Sequence, residues 1–273
     1  MTVWVNGVAG ASIDALDRGL QYGDGVFETM RVRRGTVRFL DYHLERLADG
    51  CRRLAIPPHN PRRLRSELAR VAAGRRDAVL KLIVSRGVGP RGYRPSGRET
   101  STRVISIHPL SPAALDTEDA PARVRMCRMR LGINATLAGL KTLNRLESVL
   151  ARAEWQDAGI WEGMMRDTDD YIVGGTMSNL FVRRGSILIT PLLDRCGIAG
   201  VMRRWVLQEA AAMRLRVAER RITWDSLAGA HEAFMTNAVV GIVPVGVVRH
   251  GRLVLRLGER RTADELRRRL ELL

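Results

Sequence analysis

The chain has 273 residues, 45% of them hydrophobic, and a formal net charge of +16. That is enough apolar material for one large domain or two modest ones, and no apolar run reaches the roughly 20 residues that a membrane span needs. The charge invites a polyanionic partner, yet 43 of the 45 basic residues are Arg, scattered singly and in pairs such as Arg33-Arg34 and Arg62-Arg63, so nucleic-acid binding is not expected.

The N-terminus, MTVWVNGVAG, lacks a basic stretch followed by an apolar one, so no signal peptide is expected. Residues 3–8 read as a strand entering a turn at Asn6-Gly7. Residues 26–39 alternate around Arg34-Gly35 as a hairpin. Residues 41–54 carry Leu44, Leu47, Cys51 and Leu54 at helical spacing after an Asp cap, and 61–73 read as a second helix. AVLKLIVSRG and TRVISIHPL read as strands, which completes a smaller α/β domain over 1–110. Residues 111–122 are rich in Pro, Ala and acids without periodicity and read as a linker. A larger domain over 123–273 follows. It opens with the strand RVRMCRMRL and an amphipathic helix over 144–158. Strands come next, with turns at Asp169-Asp170 and Arg184-Gly185, then the helix VMRRWVLQEAAAMRL, a strand and hairpin from HEAFM, and a closing helix over 262–272. Cys51, Cys127 and Cys196 are odd in number and widely spaced. They read as buried or idle thiols in a reducing cytoplasm rather than as a disulfide or metal framework.

The two lysines are the first chemical signal. A chain that writes Arg at nearly every cationic position retains Lys81 in a strand and Lys141 between a Gly-containing turn and a helix. Arginine stays protonated and cannot form an imine, whereas a lysine amine can, so Lys141 or Lys81 is a candidate anchor for a carbonyl cofactor. A phosphate site is suggested by CGIAGVMR, 196–203, where glycines precede a helix whose N-terminal amides and dipole favour an anion. Thr236-Asn237-Ala238 ends a strand with amides that could join it. Arg46, in HLERL, could add a bidentate charge or simply face solvent. His43, His59, His108, His231 and His250 have no metal-ligand spacing, and no metal is expected.

Seven segments occur in order: YGDGVFET (22–29), HLERL (43–47), SRGVGPRGY (85–93), LAGLKTLNRLESVLAR (137–152), SNLF (178–181), GIAGVMR (197–203) and TNAVVGIVPV (236–245). Together they resemble the fold-type-IV pyridoxal-phosphate enzymes, a family that includes branched-chain aminotransferases, D-amino-acid aminotransferases and aminodeoxychorismate lyases. Arg91-Gly92-Tyr93 and the segment from Lys141 to Glu147 are most similar to the lyases, and Leu146 stands where branched-chain aminotransferases carry a tyrosine. The resemblance implies a two-domain α/β (α+β) fold and a homodimer using pyridoxal 5'-phosphate. Lys141 would be its Schiff-base lysine and general base, and Arg46 a phosphate ligand. Val201 and Met202 would give phosphate amides, Asn237 and Ala238 would complete the cup, and Ile198 would pack on the ring. Arg91 and Tyr93 would lie near the carboxylates of an anionic substrate. The implied activity is conversion of 4-amino-4-deoxychorismate to 4-aminobenzoate and pyruvate. A D-amino-acid or branched-chain aminotransferase, or a non-catalytic homologue, is the alternative.

One position departs from the family pattern. The acid that the family places opposite the pyridine nitrogen, aligned on Ser178-Asn179, falls on Gly174. An acid there makes the ring a better electron sink, so its loss handicaps transamination more than an elimination driven by aromatisation. Asp169 and Asp170 are the nearest substitutes, but they read as hairpin-turn residues.

Overall fold

The computed structural model describes residues 2–110 and 120–273. The linker expected over 111–122 therefore lies, as far as residue 119, outside the described residues. The chain forms two compact units. The first holds the described residues up to 110 together with Leu140–Asn144, and the second holds 120–139 and Arg145–Leu273. The stretch carrying Lys141 thus clusters with the first unit.

In the first unit, β1 (Thr2–Val5), β2 (Val8–Ala9), β3 (Gly25–Arg33), β4 (Thr36–Val37), β5 (Asp77–Ser85) and β6 (Thr102–Pro109) form an antiparallel sheet in the order β2-β1-β6-β5-β3-β4. Helices α1 (Arg18–Tyr22), α2 (Leu40–Arg53) and α3 (Pro61–Ala72) accompany it. Asn60 caps α3 by accepting from the Arg62 and Arg63 amides, and Pro61 occupies the first turn, where no N–H is needed. The Asp cap expected for α2 is corrected. Asp41 lies inside the first turn, where its charge suits the helix dipole, and the cap is Phe39 at φ 53. Alternation divides the sheet. Val26, Met30 and Val32 of β3, with Leu80, Leu82 and Val84 of β5, pack with Leu47, Leu64, Leu68 and Val71 of the helices. The intervening positions, Phe27, Thr29, Lys81 and Ile83, are half-buried on the opposite face.

The second unit is built on β7 (Ala122–Leu131), β8 (Glu162–Asp167), β9 (Ile172–Gly175), β10 (Asn179–Arg184), β11 (Ile187–Pro191), β12 (Arg216–Arg220), β13 (Glu232–Asn237), β14 (Gly241–His250) and β15 (Leu253–Arg256). They form one mixed sheet in the order β12-β11-β10-β13-β14-β7-β8-β9, with β15 on β14. One face packs Leu180, Val182, Ala233, Met235, Val243 and Val245 with Leu227 of α6 (Trp224–Ala228). The alternate positions Phe181 and Phe234 are cross-strand partners and stack at 5.1 Å. Helix α5 (Val201–Ala212) contacts β13, and α7 (Arg261–Glu271) closes the chain.

The helix expected over 144–158 is shorter: α4 spans only Leu146–Arg152. The chain turns early because Trp155 buries itself among Cys127, Ala151, Ile160 and Met165, and because Glu154 accepts the Arg128 and Met129 amides. All three cysteines are buried and free, and burial pushes the Cys51 and Cys196 thiols up to about 11 and Cys127 to about 12.

Candidate active site

The first unit presents the amine. Strand β4 covers only the far end of β3, at Val32 and Arg33, so the near end is left with an open edge. Leu140–Asn144 fills that edge: Phe27 donates to the Lys141 carbonyl at 3.0 Å, Leu143 donates to Gly25 at 3.0 Å, and Val26 bridges Thr142 antiparallel. This register puts Thr142 with Val26 and places Lys141 beside Phe27. Lys141 Nζ lies 4.1 Å from the Phe27 ring centroid. Lys81 Nζ lies 5.3 Å from the same centroid, across from Thr29 on β3. Both lysines of the chain therefore approach one aromatic ring. The strand pattern around Lys81 describes its backbone and misses this placement.

Arg46 does not simply face solvent. Position 28 belongs to the helix-facing row of β3, so Glu28 is carried under α2, where it is 1% exposed. There it takes Arg46 Nε at 2.8 Å and Nη2 at 2.5 Å, and it pairs with His43 Nδ1 at 2.6 Å. His43 and Arg46 are three residues apart on α2, one helical turn, so both reach the same carboxylate. Burial alone would raise the Glu28 pKa, but the Arg46 charge and hydrogen bonds and the His43 bond hold it below the usual range. Burial, with the nearby Arg46 and Lys141 charges, pushes His43 down despite Glu28. The arrangement sets one buried carboxylate between the Arg46 guanidinium and the His43 ring, its pKa held down by the Arg46 charge while burial holds that of His43 down. Sequence reasoning passed over Glu28 because a carboxylate in an alternating strand reads as solvent-facing.

The second unit presents anion-binding features. Gly139 bridges Ile198 in parallel, with Gly139 N–H to Gly197 O and Ala199 N–H to Gly139 O, both at 3.0 Å. Gly197 has φ +87, which suits glycine, and Asn179 Nδ2 holds the Ile198 carbonyl at 2.8 Å. Gly200, the N-cap of α5, has no room for a Cβ because Asn179 Oδ1 occupies that place, and no side chain caps the helix. The amides of Val201 and Met202 precede the first helical bond, Arg204 N–H to Gly200 O at 3.0 Å. Thr236, the cross-strand partner of Asn179, keeps its Oγ1 buried with no hydrogen-bond partner among the described residues. Asn237 spends its side-chain oxygen on the Val239 and Val240 amides at 2.9 Å, so it shapes the turn that carries Ala238.

Gly174 is a glycine of close approach. A Cβ there would meet the Ser178 carbonyl oxygen at 2.8 Å, and the same oxygen accepts from Gly175 N–H at 2.7 Å. Asp169 pairs with Arg195, and Asp170 pairs with Arg130 and Arg166, so both acids serve the hairpin end. The carboxylate beside this turn is the buried Glu162, which sequence reasoning missed. It accepts from Thr176 Oγ1 at 2.6 Å, Ser178 Oγ at 2.8 Å and the Gly163 and Met177 amides at 2.9 and 3.2 Å.

Arg91 and Tyr93 belong to neither arrangement. Both are exposed, on an irregular loop of the first unit between β5 and β6. Among the described residues, no group of three or more His, Cys, Asp or Glu side chains gathers as if to hold a metal.

Comparison with known proteins agrees with this architecture. Residues 25–248 match the family described as Amino-transferase class IV. The aminodeoxychorismate lyase of Vibrio harveyi is 34% identical over 242 residues, 89% of each chain. The D-alanine aminotransferase of Bacillus licheniformis is 28% identical over 237 residues, 86% of this chain and 82% of that one. Among solved structures, the 4-amino-4-deoxychorismate lyase from Pseudomonas aeruginosa superposes with a TM-score of 0.90 at 44% identity, covering 98% of this chain and 99% of that one. Matched over most of its length in sequence and nearly all of it in structure, the chain belongs to the class IV aminotransferase family and has its type IV fold.

Proposed function

We propose that the protein is a pyridoxal-phosphate-dependent lyase that converts 4-amino-4-deoxychorismate to 4-aminobenzoate and pyruvate. The observation that carries the reading is Lys141, an amine retained in an arginine-rich chain, held by an edge-strand register and laid on Phe27. Polar groups left over by the fold suit the cofactor's phosphate. They are the uncapped start of α5, with the Val201 and Met202 amides, and the partnerless Thr236 Oγ1. Arg46, oriented by Glu28, adds a charge-assisted ligand. Ile198, held by Gly139 and Asn179, is the residue for the ring face, and Asn237 and Ala238 form the remaining turn.

When bound, the cofactor supplies an electron sink conjugated to the carbon that bears the substrate amine. Lys141 is the base that removes the proton from that carbon. The carbon–oxygen bond to the enolpyruvyl group then breaks, and its electron pair leaves with oxygen. The departing enolate takes up a proton and becomes pyruvate, while the ring gains its last double bond. Phe27 covers one side of the amine and limits water there. Lys81, on the same ring, and Arg91 and Tyr93 on the loop are the groups for the two substrate carboxylates. A homodimer accords with the exposed apolar face of α4, Leu146, Val149 and Leu150. Purified holoenzyme given aminodeoxychorismate is expected to release pyruvate and 4-aminobenzoate in equal amounts. Exchange of amino groups between amino acids and keto acids, with neither product formed, would identify an aminotransferase instead.

A further inference from the structure

The segment DRGLQYGDG, 17–25, opens the first unit's helical turn α1, and nothing in the proposed chemistry uses it. Its Arg18 is 2% exposed, the guanidinium of a short surface helix turned completely inward. Arg18 Nε pairs with Asp24 at 2.9 Å. Nη1 donates to the Gly92 carbonyl at 2.8 Å and reaches Pro90 O at 3.5 Å, and Nη2 donates to the Tyr93 carbonyl at 2.8 Å. The guanidinium carbon lies over the Tyr22 ring, 4.8 Å from its centroid. Tyr22 in turn accepts the Gly92 amide on its hydroxyl at 2.9 Å and meets the Tyr93 ring edge-on at 5.6 Å.

The loop is shaped to receive this side chain. A Cβ on Gly89 would strike Arg18 Cδ at 2.8 Å, so the loop backbone passes directly over the arginine stem. At its neck, Arg18 N–H donates to Gly87 O at 2.9 Å, and Asp17 bridges Val88. Asp24 is shared with Arg86, which also donates to the Leu54 and Ala55 carbonyls. Two buried arginines therefore divide one carboxylate, and loop carbonyls supply the rest of Arg18's partners. Only a planar fork with five donors can reach a carboxylate and carbonyls on successive residues at once, and a lysine ammonium radiating from one atom cannot.

We propose that Arg18, with Tyr22, is the positioning residue of the substrate loop, holding the backbone of residues 90–93 so that Arg91 and Tyr93 project in one arrangement. The proposal rests on the reading of those two residues as substrate contacts. Arg18 touches neither substrate nor cofactor and acts through the loop.

The test uses the holoenzyme with Arg18→Lys, Arg18→Met, Tyr22→Phe and Arg91→Ala. Three quantities are measured: amide hydrogen exchange of peptides spanning 88–98, the cofactor dissociation constant, and kcat and KM for aminodeoxychorismate. Arg18→Lys and Arg18→Met are expected to speed exchange in that loop alone. They should raise KM by about 10-fold or more and leave kcat and cofactor affinity within about two-fold, because misplaced binding groups cost orientation rather than chemistry. Tyr22→Phe, which removes one hydroxyl and keeps the ring, should move loop exchange and KM the same way by less. The proposal is overturned if loop exchange is unchanged, if the loop loosens with KM unchanged, or if exchange rises throughout the molecule and cofactor is lost. Arg91→Ala separates the two readings. An unchanged KM there removes Arg91 from the substrate site, while a raised KM there beside an unchanged KM in both Arg18 variants rejects the positioning role alone.

Discussion

Lys141→Ala removes the amine carried by the segment that fills the open edge of β3. Borohydride reduction of the wild-type holoenzyme is expected to leave the cofactor's mass on the peptide carrying Lys141. The variant should show none, and turnover should fall by about 10³-fold or more, the scale of a lost base. Lys81→Met is not expected to be silent, because its amine shares the Phe27 ring with Lys141. It should keep the covalent mass while KM rises roughly 10-fold, as for one charge-assisted hydrogen bond. Attachment at Lys81 would reverse the assignment. Gly174 makes the third residue-scale case. Because its Cβ would press on a backbone oxygen already accepting a hydrogen bond, Gly174→Glu should destabilise the fold by about 1–3 kcal/mol, as overpacking does. A melting temperature equal to wild type would contradict the close approach. The glycines at 197 and 200 were legible because their backbone demands that residue type, and Lys141 and Gly174 stand out in the sequence by residue type alone. Glu28, Glu162 and Thr236 were not, since whether a strand's polar residue faces water or a helix depends on what packs over it.

Among the elements, hairpins were the most legible. Arg34-Gly35 and Arg184-Gly185 mark their turns, with Arg34 at φ 50 and Gly185 at φ 59. The short α1, β12 and α6 went unread because five residues carry too little periodicity. The α4 helix was overextended because Trp155 and Glu154 fit a helical pattern yet are claimed by β7 and its surroundings. The pairing of α2 with β3 carries a prediction. Arg46→Ala should weaken cofactor binding roughly 10- to 150-fold, the range for a charge-assisted hydrogen bond to phosphate, and slow chemistry little at saturating cofactor. Glu28→Gln keeps the shape but loosens the Arg46 fork, so its loss should be smaller and in the same direction. An unchanged dissociation constant in Arg46→Ala would reject the phosphate role.

At the scale of the whole molecule, two histidines, His43 buried and His59 half-buried, couple the fold to acid. Burial, with the nearby Arg103 charge, lowers His59 from the ordinary 6.5 to about 4, against a smaller upward pull from Glu67. Between those values the unfolded chain binds a proton that the folded chain refuses, so stability falls as pH drops from about 6.5 to about 4. Below that window both states are protonated and this contribution stops changing. His43, also pushed down, acts in the same sense. Glu28 adds stability that is present above 4.5 and lost as pH falls through its depressed folded value. Melting temperature followed from pH 7 to 4 should decline, and His59→Gln should decline less steeply; equal slopes would show that His59 takes no part.

The central claim is that Lys141 serves an elimination rather than an exchange of amino groups, and one measurement addresses it directly. Holoenzyme and Lys141→Ala are each supplied with aminodeoxychorismate, and pyruvate and 4-aminobenzoate are both quantified over time. The account predicts equal amounts of the two products from the wild type and essentially none from the variant. Neither product from fully loaded wild-type enzyme, or the same yield of both from Lys141→Ala, would contradict it.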